Sequence, residues 1–160
     1  MKDERTTAYE GMFLFPQAQA TDLQAAVDHL KDILAKAGAE LISLRKWDER
    51  RLAFEIKGNK RGVYFLAYFR IKRSGVAAVE RGCNLSEMLL RSMFLRAEHV
   101  SPEQMEAADG QAELADEIRL RSVRAATAQS EEGSGVDSRD RDEEPVTVES
   151  ESYRDPATAS

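Results

Sequence analysis

The stretch that decides the fold is Lys46–Ile71, KWDERRLAFEIKGNKRGVYFLAYFRI. Two strand-like runs, Arg51–Ile56 and Gly62–Ile71, flank a turn predicted at Gly58–Arg61. Positions 41 to 73 hold ten Lys or Arg and three acidic residues, a local charge of +7 in a chain of net charge −6. A hairpin that is basic at its bends and aromatic along its strands suits contact with a polyanion or a protein surface, not catalysis.

Charge and aromatic content divide the chain into parts. Residues 1–101 carry 17 Lys or Arg and 13 Asp or Glu, a net of +4, whereas residues 102–160 carry 6 and 16, a net of −10. All six Phe and the one Trp lie in the first part. This composition predicts a compact domain over residues 1–101, an extension over 102–128 and a disordered acidic tail over 129–160.

The extension begins with a helix signal, because Ser101, Pro102 and Gln104 suit the N-cap, N1 and N3 positions. Its apolar stripe is thin, with Leu114 and Ile118 as the main members. A marginal or partner-dependent helix is therefore predicted.

Periodicity orders the elements of the domain. The predicted elements are a strand at Tyr9–Phe15, a helix capped by Thr21, a strand from Ala39 to Ile56 with an irregularity at 48–50, a strand at Gly62–Ile71, a short helix after Ser74 that ends near Gly82, and a strand at Met88–Arg96. The order β-α-β-β-α-β predicts an α+β, ferredoxin-like fold. In this fold two helices cover one face of a four-stranded antiparallel sheet, and here an acidic C-terminal extension follows.

Strand alternation sorts the apolar residues between the two faces of this sheet. The core face, beneath the helices, is predicted to hold Phe13, Phe15, Phe65, Phe69, Met93 and Leu95. The open face is predicted to show Met12, Leu14, Tyr64, Leu66, Tyr68 and Phe94. An apolar patch of this size needs a cover, such as nucleotides, a partner protein, another copy of the chain, or the chain's own tail.

The sequence offers no catalytic or metal-binding residues. His29 and His99 lie far apart without a ligand cluster, and the single Cys83 suits a buried position in a reduced, intracellular setting. The loop after the first strand, Pro16–Ala20, lacks the glycines that an acyl-phosphate hydrolase of this topology needs. We expect no enzyme activity, no cofactor, no small-molecule substrate, and neither a leader segment nor a membrane span.

A collinear set of motifs resembles a known family. The set comprises Tyr9-Glu10 before an apolar strand, Gly38-Ala39, Trp47, Arg50-Arg51-Leu52-Ala53-Phe54-x-Ile56, Tyr64-Phe65-Leu66 and Leu90-Arg91-Ser92-Met93-x-Leu95-Arg96. Over residues 8–101 the chain resembles the sixth protein of the bacterial small ribosomal subunit. Asp48 and Glu55 stand where that family often has Gly and Pro, and the acidic tail exceeds the family core.

The resemblance implies a cytoplasmic, ribosome-bound protein with two partners, the small-subunit ribosomal RNA and the eighteenth protein of that subunit. The candidate RNA contacts are Arg45, Lys46, Arg50, Arg51, Lys60, Arg61, Arg91 and Arg96, chosen for their clustering near the hairpin. The candidate partner contacts are the six residues of the predicted open face.

The sequence is also compatible with two other binding roles. An RNA-recognition motif has the same topology, and Arg61–Tyr68 partly matches its pattern but departs at Val63 and Tyr64. A homo-oligomeric interaction domain would also cover the open face.

Overall fold

The structure, a computed structural model, describes residues 5–132. Its elements are β1 (Thr6–Pro16), α1 (Leu23–Lys36), β2 (Glu40–Ile56), β3 (Asn59–Lys72), α2 (Val76–Leu85), β4 (Arg91–Arg96), α3 (Pro102–Ala107) and α4 (Gln111–Glu132). The strands form one sheet in the order β2-β3-β1-β4, and each neighbouring pair is antiparallel. The predicted ferredoxin-like fold is confirmed, while most of the tail predicted over 129–160 lies outside the described residues.

Several local predictions need correction. Asp22, not Thr21, caps α1 by accepting a hydrogen bond from the Ala25 amide at 3.0 Å. The hairpin turns at Lys57-Gly58, where φ is 48° and 80°, so β3 already begins at Asn59. Positive φ at both central residues gives the turn a twist that matches the flanking strands.

The other two differences concern element lengths. Helix α2 continues past Gly82 to Leu85. β4 begins only at Arg91, and Leu89, two residues before it, is buried in the core.

The face assignment of β4 was wrong by one residue. Phe94 packs edge-on against Phe13, with ring centroids 5.6 Å apart, and against Phe69 at 6.2 Å, whereas Met93 and Leu95 are each 50% exposed. Gly11 is the register partner of Phe94 on β1, and a Cβ at Gly11 would lie 2.9 Å from the Phe13 ring. The Phe13 and Phe69 rings lie over Gly11, and the Phe94 ring packs against both of them on the core face.

The extension wraps around the β2 edge of the sheet. α3 lies on the open face through Met105, and α4 lies on the helix-covered face through Leu114, each 3% exposed. Between them, Asp109 Oδ1 accepts from the Leu44 amide at 2.9 Å and the Gly110 amide donates to the Leu44 carbonyl at 3.1 Å. The extension therefore satisfies polar groups of an edge strand that would otherwise be open to pairing.

Candidate nucleic-acid and protein interface

The end of the β2–β3 hairpin is shaped by irregularities in β2. Trp47 is an extra residue between Lys46 and Asp48, which pair with the consecutive Phe65 and Tyr64 of β3. A larger bulge follows, since four residues, 52 to 55, stand between the pairs Arg51–Arg61 and Ile56–Asn59. Bulges re-aim side chains, and these two turn Trp47 and Phe54 outward, leaving them 43% and 62% exposed.

Four of the predicted RNA contacts lie exposed on this hairpin: Arg50, Arg51, Lys60 and Arg61. Arg51 and Arg61 are direct register partners on neighbouring strands. Like charges placed opposite each other in this way destabilise a sheet when no anion is bound. Within residues 5–132 neither arginine, nor Lys60, has an acidic partner. The end of the hairpin therefore presents cations that the domain itself does not neutralise.

Arg50 is partly held by its own strand. Its Nε donates to Asp48 Oδ2 at 2.6 Å, and its guanidinium lies 5.0 Å from the centroid of the Trp47 ring. The hydrogen bond from Arg50 holds the pKa of the Asp48 carboxyl below its usual value. Trp47 in turn packs edge-on against Tyr64 at 5.7 Å, so Arg50 is oriented by an aromatic pair while its charge faces solvent.

Two other predicted RNA contacts, Arg45 and Lys46, lie beneath the extension. Lys46 Nζ donates to Glu49 at 3.0 Å and to Glu117 of α4 at 2.6 Å, and its side chain is only 17% exposed. Gly110 passes against Arg45, because a Cβ at Gly110 would lie 2.7 Å from Arg45 Cβ. Lys46 is thus committed to ion pairs within the chain, whereas Arg45 is half-buried and is covered at its Cβ by Gly110.

A network of two cations and two acids fastens α4 to β2. Arg121 donates to Glu49 at 3.0 Å, to Glu117 at 2.6 Å and to the Ala20 carbonyl. Burial raises the pKa of Glu49 and Glu117, but hydrogen bonds from Lys46 and Arg121 outweigh it and hold both below their usual value. The acids therefore stay charged, and the network is internally neutral.

The last two predicted RNA contacts lie on β4. Arg91 is exposed, and its guanidinium lies 5.7 Å from the centroid of the Phe54 ring. Arg96 is exposed and lies 3.8 Å from Glu98, a loose surface pair. Arg91 is thus joined to the bulged part of the hairpin, whereas Arg96 is at the opposite end of its short strand.

The open face of the sheet is divided in two by α3. The half that α3 covers, the covered half, contains Leu66 at 6% and Tyr68 at 9% exposure, packed with Met105 and Ala97. The Tyr68 hydroxyl also donates to Glu10 at 2.6 Å, and burial together with this bond raises the pKa of Tyr68 to about 12. These two predicted partner contacts are occupied by the chain itself, and Tyr68 has no free ring face for base stacking.

The uncovered half forms a groove of about 490 Å³, called here the distal groove. It is lined by Met12, Leu14, Leu52, Ala53, Phe54, Ile56, Tyr64, Arg91, Ser92 and Met93. Met12, Leu14 and Tyr64 belong to the predicted partner contacts, while Phe94 faces the core. Leu52, Phe54 and Met93 were missed, because the bulge of β2 and the register of β4 set their direction.

The part of the chain that the structure describes gives little support for a catalytic or metal-binding site. Cys83 is buried, and that burial raises the pKa of its thiol. His29 Nε2 shares a hydrogen bond of 2.6 Å with the Ser86 hydroxyl. No group of three potential metal ligands occurs within residues 5–132. None of the helices described is long and apolar enough to cross a membrane.

Comparisons with known proteins agree on one family. The family described as Ribosomal protein S6 matches residues 8–96 of this chain. A small ribosomal subunit protein bS6 from Desulforamulus reducens is 32% identical over 89 residues, which are 55% of this chain and 94% of that protein. The bS6 of Helicobacter hepaticus is 35% identical over 91 residues, which are 56% of this chain and 66% of that protein.

A solved structure supports the same fold. The crystal structure of 30S ribosomal protein S6 from Thermotoga maritima aligns with a TM-score of 0.54 at 21% identity, over 64% of this chain and 98% of that chain. The extension after residue 96 lies outside the family match. With a match over more than half of its length, this chain belongs to the ribosomal protein S6 family.

Proposed function

We propose that this ribosomal protein binds small-subunit ribosomal RNA through the end of its β2–β3 hairpin, together with the eighteenth protein of the subunit, which contacts the open face. Family membership makes the chain a structural, non-enzymatic ribosomal protein of the small subunit. The RNA surface and the protein partner are the parts that this proposal adds.

One observation carries the RNA surface. Arg51 and Arg61 face each other across β2 and β3, and with the adjacent Lys60 they lack acidic partners within residues 5–132. Like charges held side by side raise the free energy of the free protein, and phosphate groups remove that cost on binding. Contacts of this kind position a protein on RNA without reading its sequence.

The protein partner is supported by the apolar composition of the open face. The distal groove exposes Met93 and Phe54 to solvent, and a soluble domain rarely leaves such a surface without a partner. The covered half gives no support, because α3 already fills it.

Charge reversal on the hairpin tests the RNA surface. Changing Arg50, Arg51, Lys60 and Arg61 to Glu is compared with the same change at Lys31, Lys36, Arg73 and Arg81, which are exposed on or beside α1 and α2. Binding to small-subunit ribosomal RNA is measured by filter retention at several salt concentrations. We expect the hairpin variant to lose at least ~100-fold in affinity and to flatten the salt dependence, since each phosphate contact adds about 0.7 to 0.9 to the slope.

The control variant carries the same change in net charge, so it measures the general electrostatic effect. Equal losses in both variants would show that the hairpin end is not the RNA surface. An unchanged affinity of the hairpin variant would have the same meaning.

A further inference from the structure

Helix α4 runs along β2 toward the end of the hairpin. The contacts between the two elements occur in the same order along both, as Gly110–Leu44 just before the helix, then Glu117–Lys46 and Arg121–Glu49. Arg50, the first cation of the hairpin end, directly follows Glu49 in β2. The next three residues of α4 lead from Arg121 to Arg124, about 4.5 Å along the helix axis. The helix therefore extends toward the cations proposed to bind RNA.

The second half of α4 leaves the surface of the domain. Beyond Arg121, which donates to Glu49 and to the Ala20 carbonyl, every position from 122 to 129 is exposed. These residues extend about 12 Å along the helix axis, at about 1.5 Å each. An isolated helix of this length is only marginally stable in water, so an exposed helix end of this kind suits a surface that a ligand covers.

Charge is distributed unevenly along the extension. Residues 102–117 hold six acidic and no basic residues, and residues 131–160 hold ten acidic and three basic residues. Between them, residues 118–130, called here the basic segment, hold three arginines and no acid. The basic segment therefore carries +3 in an extension whose net charge is −10, and it includes the part of α4 that leaves the domain.

Two of the three arginines are available to a ligand. Arg121 is committed to its two acidic partners, whereas Arg124 is exposed and has no acidic partner within residues 5–132. Arg119 lies 3.2 Å from Asp116, but both side chains are mostly exposed, and a surface pair of this kind contributes little. Arg124 also lies about two turns before the end of α4, beyond the range over which the helix dipole repels anions.

Phosphate groups are the ligands that this arrangement fits best. Guanidinium groups donate parallel hydrogen bonds to phosphate oxygens and stay charged at every physiological pH. The basic segment also has small side chains, which allow an RNA backbone to approach the helix closely, at Ser122, Ala125, Ala126 and Ala128.

A protein partner would need more apolar surface than the basic segment offers. Leu120 and Val123 are its exposed large apolar side chains. A stable protein interface buries about 800 Å² on each partner, which two side chains do not provide. RNA is therefore the better supported ligand, and Val123 provides a control for the alternative.

From these observations we infer that the basic segment of α4 is a second RNA-contact element, which binds the phosphate backbone of the small-subunit ribosomal RNA beside the hairpin end through Arg119 and Arg124. This inference rests on the RNA role proposed above. It adds a contact from outside the family match, which ends at residue 96.

Matched variants test this contact by filter retention with small-subunit ribosomal RNA at several salt concentrations. The double variant Arg119→Gln, Arg124→Gln is compared with Lys31→Gln, Arg81→Gln, which removes the same charge from exposed positions on α1 and α2. We expect the α4 variant to lose about 3- to 10-fold in affinity and its salt slope to fall by about 1.4 to 1.8, at about 0.7 to 0.9 for each phosphate contact. The charge control and Val123→Gln should each stay within about 2-fold of the unaltered chain.

Tethered cleavage locates the contact on the RNA. Cys83, the single cysteine of the chain, is buried, so an iron chelate attaches selectively to a cysteine introduced at an exposed position. The positions are Ala126→Cys on the basic segment, Glu55→Cys on the hairpin and Ala77→Cys on α2. We expect hydroxyl radicals from positions 126 and 55 to cut neighbouring stretches of the RNA, and those from position 77 to cut none.

The charge-reversed hairpin variant, measured in the same assay, separates this inference from the proposed function. Equal losses in the α4 variant and the charge control, or no cleavage from position 126, overturn the second contact and leave the hairpin in place if the hairpin variant is still defective. A loss in Val123→Gln as large as that in the arginine variant would show an apolar contact and would also overturn the inference. Failure of the unaltered chain to bind the RNA overturns both proposals.

Discussion

Truncation of Leu114 to Ala tests whether α4 is part of the folded domain. Leu114 is 3% exposed and belongs to the main core cluster, with Ile118 packed beside it. Removing three carbons forfeits about 2.4 kcal/mol of transfer free energy at about 0.8 kcal/mol for each, before any cavity cost. Buried Leu→Ala changes cost about 2–5 kcal/mol. Because α4 lies at the edge of the domain and can relax, we expect a loss of about 2–3 kcal/mol.

Leu120→Ala is the matched control on the same helix. Leu120 is 60% exposed, and the substitution changes helix propensity by the same small amount, so the difference between the two variants isolates burial. We expect the control to stay within about 0.5 kcal/mol of the unaltered protein.

Urea unfolding followed by far-ultraviolet circular dichroism and by Trp47 fluorescence measures both variants. With a slope of about 2 kcal/mol per molar urea, the midpoint of Leu114→Ala should fall by about 1–1.5 M. Equal midpoints for the two variants would refute the docking of α4. Separate transitions for the two signals would show that α4 unfolds apart from the sheet.

Three further predictions concern other parts of the molecule. Since the pKa of Glu117 is held below its ordinary value of 4.5, the stability that it contributes is present above that value and is lost as the pH falls through the lowered pKa. The melting temperature of Glu117→Gln should therefore change less on acidification than that of the unaltered protein. Phe94→Ala should lower the free energy of unfolding by roughly 2–4 kcal/mol, because the Phe94 ring lies against Phe13 and Phe69. Met93→Ala is the control, and we expect it to lower the free energy of unfolding by less than about 1 kcal/mol because Met93 is half exposed. Equal losses in the two variants would show that Phe94 lies on the open face. Residues 133–160 carry a net charge of −5, from three basic and eight acidic residues. Their deletion should leave the melting temperature unchanged and raise the nonspecific affinity for RNA at low salt. Equal RNA binding by the full and the shortened chain in a gel-shift titration would contradict this prediction.

The sheet was predictable where the sequence pattern is long and two-sided. In β3, alternation places Val63, Phe65 and Phe69 on one face, and the structure buries all three completely. The order of elements and the resemblance to the S6 family are likewise confirmed. Membership of that family also confirms the expectation of a ribosomal, non-enzymatic protein. These features depend on local periodicity and collinear motifs, which a single sequence contains.

β4 was misassigned because its pattern is short and apolar on both sides. Met93, Phe94 and Leu95 are consecutive, so alternation alone fits either face. The contacts of Phe94 with the rings of Phe13 and Phe69 decide between them, and both rings lie on other strands, Phe13 more than 80 positions earlier. Information of this kind is tertiary, and it is absent from the strand's own sequence.

The role of the extension was hidden for a similar reason. Its apolar stripe is thin, yet Asp109 bonds to Leu44 and Arg121 bonds to Glu49, which are 65 and 72 positions away. The extension also pairs Lys46 with Glu117, which takes this lysine out of the candidate RNA surface, and its helix α3 covers Leu66 and Tyr68 of the candidate partner surface. No periodicity in the extension indicates which charged residues of the domain it meets.

Sedimentation of the tagged chain with ribosomal particles tests the central claim, that this protein is held in the small subunit by the end of its hairpin. The unaltered chain and the variant with Glu at positions 50, 51, 60 and 61 are expressed in the host that encodes the chain, and lysates are separated on sucrose gradients at low and at high salt. We predict that the unaltered chain migrates with the small subunit in both and that the variant remains at the top of the high-salt gradient. Free migration of the unaltered chain at low salt, or equal retention of the two forms at high salt, would contradict the account.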